Sequence, residues 1–71
     1  KPNERYENVT GDDLLEIGDR IITTRYHVRM LEGLGFLTDE QRIDLREWRK
    51  TMRLLLLARR KMQRAVQMRL F

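Results

Sequence analysis

Seventy-one residues with 15 basic and 11 acidic side chains, one histidine and no cysteine make a small chain of net charge +4. A chain this short buries only about 60% of its unfolded surface and needs disulfides, a metal or association to support its core. The absence of cysteine removes the first of these and a lone His27 argues against the second, which leaves association. No apolar run approaches the roughly 20 residues that span a bilayer, since the longest, Leu54–Ala58, is flanked by Arg53 and Arg59.

Residues 1–9 hold the only proline, Pro2, and show no helical period, so they read as an extended arm that Tyr6 and Val9 can anchor. The chain starts with Lys1 rather than Met, which reads as a processed or partial piece of something longer. Thr10 then opens a helix. Its hydroxyl can accept from the N3 amide, Asp13 stands at N3 to reciprocate, Asp12 complements the dipole, and Val9 can staple onto Leu14. From there Leu14, Ile17, Ile21, Thr24, Val28 and Leu31 recur at 3-4 spacing on one stripe, predicting a helix over about 10–34. Gly18 inside it reads as a point of close contact or flexibility. Gly35 is placed to end the helix in a left-handed conformation, with Phe36 folding back on Leu31; Gly33 is the rival stop.

Thr38 restarts the chain as a second capping box with Gln41 at N3 and an acidic first turn. Leu45, Trp48, Met52, Leu55, Arg59, Met62 and Val66 repeat the 3-4 spacing with no glycine or proline before Phe71, predicting a longer helix over about 38–71. Two such stripes joined by a short loop predict an all-α fold, an antiparallel helical hairpin with an N-terminal arm, in one small domain or fragment. Residues past about Met62 then lack a partner in the hairpin, so another chain or the N-terminal arm is expected to cover Val66, Met68, Leu70 and Phe71, which read as a protein interface. Leu54 and Leu57 join Met68 in a second apolar strip, and a helix apolar on two faces is normally buried between neighbours.

Charge divides the chain. Residues 1–47 carry seven basic against eleven acidic side chains, while residues 48–71 carry eight basic and none acidic. At 100° per residue, Arg42, Arg46, Arg49, Arg53, Arg60 and Arg64 fall within about 60° of one another, a ridge for an anionic partner. Arginine outnumbers lysine twelve to three, which favours forked contacts to carboxylate or phosphate. The plain reading is a solvated face helped by pairs such as Asp39 with Arg42. In an antiparallel hairpin, Asp12, Asp13, Glu16 and Asp19 also come level with Arg59–Arg64, so the helices can neutralise each other and weaken a field aimed at phosphates. Trp48 on the core stripe reads as a core anchor rather than a platform for bases. Trp48, Met52 and Leu57 among basic residues also fit the loose pattern of a peptide for a membrane surface or a calmodulin-like groove.

Residues for catalysis are lacking. Neither serine nor a second histidine is present to build a nucleophile–base pair, and the Asp12–Asp13 pair belongs to a helix first turn. Gly33 and Gly35 end a helix rather than cradle a phosphate. The sequence predicts no enzyme and no cofactor.

Leu37–Leu55, LTDEQRIDLREWRKTMRLL, resembles a helical segment near the C-terminus of phage tail fibre assembly and related tail-assembly proteins, on Leu37, Thr38, Glu40, Gln41, Trp48, Arg49, Met52 and Arg53. The resemblance implies a virion or virion-assembly protein, found in the virion or the host cytoplasm. Leu14–Gly33 looks like a helix of tungsten-containing aldehyde ferredoxin oxidoreductases. A 71-residue chain without cysteine cannot hold that family's cofactor and cluster, so no site residue carries over. The expectation is a structural or assembly protein acting through helix–helix association with other subunits. The alternative is a nucleic-acid-binding helical module using the arginine ridge.

Overall fold

The computed structural model describes residues 9–70, with side chains to residue 68. The expected arm over residues 1–8 and the expected contacts of Leu70 and Phe71 lie outside this description. Two helices account for nearly all of it: α1, Gly11–Glu32, and α2, Asp39–Leu70, antiparallel and packed against each other as a helical hairpin. The Cα envelope is 50 × 22 × 13 Å. Its length is that of α2 at 1.5 Å per residue, and its thickness is that of one helix, so among the described residues neither broad face is covered by a further layer.

Both helices start as their sequences dictate. The Thr10 hydroxyl accepts from the Asp13 amide at 3.2 Å, and the Asp13 carboxylate accepts from the Thr10 amide at 2.9 Å. Thr38 and Gln41 repeat this exchange at 3.2 and 2.9 Å. Each box satisfies two amide donors that the first helical turn leaves without intrahelical partners.

The end of α1 differs from expectation. Gly33 is the cap, in a right-handed conformation (φ −78°, ψ −11°), and its amide donates to the Arg29 carbonyl. No described glycine has positive φ, so Gly35 is not a left-handed cap. Phe36 does not fold back on Leu31 and stays 81% exposed. The reason is local: the Leu34 amide bonds the Leu31 carbonyl, closing the last turn tightly two residues early. A Cβ on Gly33 would stand 3.3 Å from the Arg29 carbonyl oxygen, which makes the small residue useful there.

The 3-4 stripes face one another. In α1, Ile17, Ile21 and Thr24 are buried and Leu14, Val28 and Leu31 half-buried; in α2, Leu45 is buried and Trp48, Met52, Leu55, Arg59, Met62 and Val66 are half-buried. Trp48 does anchor the interface, but by stacking: its ring lies 4.3 Å from His27 at an interplanar angle of 11°. Val9 is buried beside Thr10, and with Asp13, Glu16, Ile17, Arg20, Leu55 and Met62 it lines one depression, which fixes the antiparallel register at that end. Val66, further along the same stripe, is half-buried. A Cβ added at Gly18 would meet nothing within 4 Å, so this glycine is not a close contact inside the hairpin.

Candidate interaction surfaces

The six ridge arginines are all exposed. They run along α2 for about 33 Å at 1.5 Å per residue, about 120° around the helix from its inner stripe. Among the described residues only Arg49 of the six pairs with a carboxylate, Glu32 at 2.7 Å. Glu32 is the last residue of α1, where the helix dipole disfavours an anion, so this cross-helix bond offsets a local cost. Both partners are about half exposed, and such a surface pair is worth up to about 1 kcal/mol. Arg42 forms no ion pair with Asp39. The α1 carboxylates level with Arg59–Arg64 do not bond them either, and Glu16 instead pairs with Arg20 of its own helix at 3.3 Å. Neutralisation across the hairpin is therefore limited to one bridge, and most of the ridge keeps its field. Arg42, Arg46, Arg49 and Arg53, with Leu37 and Leu45, line an open depression of about 470 Å³ beside the loop.

Next to the ridge lies the second apolar strip of α2. Leu54, Leu57 and Met68 are 59%, 52% and 64% exposed, joined at the other end by Ile43. Lys50 and Lys61 lie between them at helical spacing, and Asp39 and Glu47 flank Ile43, so the strip is apolar in its centre, acidic at its loop end and basic beyond.

A third surface went unnoticed in the sequence reading. Leu15, Ile22, Tyr26 and Met30 of α1 are 55–70% exposed. At 100° per residue they fall within about 80° of one another, opposite the buried Ile17–Ile21–Thr24 stripe. Their 7-4-4 spacing was readable, but Asp19 and Arg29 interrupt it and the 3-4 stripe dominates the pattern.

Among the described residues no three His, Asp or Glu side chains gather as metal ligands, and no helix is long and apolar enough to cross a membrane. No protein-family model, no curated protein and no solved structure matches the chain.

Proposed function

We propose that this chain is a non-enzymatic structural or assembly component that works by helix–helix association. One observation carries this reading: four apolar side chains, Val9, Ile17, Ile21 and Leu45, are buried among the described residues, while eleven large ones stay exposed. That ratio is the wrong way round for a self-sufficient domain and ordinary for a part that completes its core on other chains. The Leu54–Leu57–Met68 strip is the contact, and the arginine ridge beside it takes acidic side chains of the neighbour. The likeness of Leu37–Leu55 to tail-assembly helices gives the proposal its finer form, a component of a phage virion or of tail assembly.

Sedimentation velocity over a range of concentrations tests it. The chain is expected above its single-chain mass of 8.7 kDa, and Leu54→Asp with Leu57→Asp is expected to lower the assembly's mass, because each buries an unpaired charge in the contact. An unchanged mass in that double variant would remove this strip as the contact, and a wild-type chain at 8.7 kDa at every concentration would sink the reading.

The arginine ridge supports a second reading, binding of a nucleic-acid backbone. Arg42, Arg46, Arg53, Arg60 and Arg64 are without a carboxylate among the described residues, and about 33 Å matches roughly one turn of duplex. On this reading, labelled duplex titrated at two salt concentrations binds with a log–log slope of about −4 to −5, and Arg53→Glu with Arg60→Glu abolishes it. No binding at low salt excludes this reading.

A further inference from the structure

We propose that α1 pairs, antiparallel and about a two-fold axis beside Ile22, with α1 of a second copy of this chain. The inference deepens the reading of the chain as an assembly component by naming one partner and one surface. The apolar face of Leu15, Ile22, Tyr26 and Met30 points directly away from α2, and nothing in the hairpin covers it.

The charges on this face determine the occupant. Its N-terminal half carries Asp12 and Asp19, while Arg29 borders its C-terminal half and Arg25 lies further round the helix on the same side. A second copy laid antiparallel sets acidic half against basic half in both directions, as an isologous contact requires. A parallel copy would set like charges together.

Gly18 adds an independent observation. Glycine inside a helix is unfavourable and nothing in the hairpin requires it, since a Cβ there would meet open space. The two-fold beside Ile22 brings the Tyr26 ring of one copy level with Gly18 of the other, so the missing side chain leaves room for the ring. Four large side chains more than half exposed, with their flanking charges, offer about 600 Å² per copy, the lower end of a specific interface.

The chain has no cysteine, so single cysteines report the geometry cleanly. With oxidised glutathione as the oxidant, Ile22→Cys is expected to give a disulfide-linked dimer in high yield. Leu15→Cys alone is expected to give little, because its two copies would stand about 21 Å apart along the helix axes. A mixture of Leu15→Cys and Met30→Cys is expected to cross-link. Gly18→Leu, which the hairpin itself can accommodate, is expected to weaken the dimer about tenfold or more. A yield at Ile22→Cys no higher than at Leu15→Cys overturns the pairing. If wild type still exceeds 8.7 kDa in that case, assembly stands and only this surface falls. A dimer that survives Leu54→Asp with Leu57→Asp but not Ile22→Asp supports this surface and removes the α2 strip.

Discussion

Ile21→Ala is expected to unfold most of the hairpin, whereas Ile22→Ala, one residue along, is expected to leave it folded. Ile21 is 2% exposed and is the one large side chain fully buried among the described residues; Ile22 is 66% exposed. Removing three buried carbons costs the transfer energy of those atoms plus the cavity they leave, about 2–5 kcal/mol for isoleucine to alanine. Two helices joined by one stripe can yield little to fill that cavity, because the facing layer is a single helix. A chain of this length holds roughly 4–10 kcal/mol in total, and so small a core sits at the bottom of that range. Thermal denaturation followed by circular dichroism, at concentrations where the chain is dissociated, should show Ile21→Ala melting about 15 °C lower or already unfolded. Ile22→Ala should shift by no more than a few degrees. Equal losses in the two variants would mean that the isoleucines exchange faces and that the hairpin register is wrong.

That contrast also shows how far sequence alone can reach. The fold was legible because each signal was local: Thr10 and Thr38 cap their helices through residues three positions away, and the 3-4 stripes need only helical geometry to share a face. The end of α1 was less legible, since Gly33 and Gly35 differ only in which turn closes first, and the Leu34 to Leu31 bond decides that. Arg49 stood out as part of a ridge, but its bond to Glu32 depends on side-chain reach across the hairpin, which periodicity does not contain. The Leu15–Ile22–Tyr26–Met30 face was missed for a related reason. Spacing reports that a face is apolar, and only the packed pair of helices reveals which of two apolar faces is left in water.

Trp48→Ala is the second change expected to be severe. Trp48 is half-buried on the inner stripe of α2, stacked on His27 of α1, while Arg49 beside it bonds Glu32. These adjacent residues thus both hold α1, and one of them also belongs to the arginine ridge. An indole about two-thirds or more removed from water keeps on the order of 100 Å² of apolar burial, worth about 2.5 kcal/mol. Stacking geometry adds about 0.5–1.5 kcal/mol beyond area. Truncation to alanine should therefore cost about 3–4 kcal/mol in urea denaturation, short of the top of the range for a fully buried tryptophan because solvent already reaches one side. Trp48→Phe should recover more than half, since it preserves an aromatic face for His27. A double-mutant cycle with His27→Ala separates the two contributions: a coupling of about 1 kcal/mol assigns the stack a role of its own. A coupling near zero would make the pair a contact of area alone, and His27 would then be an ordinary residue at the edge of the core.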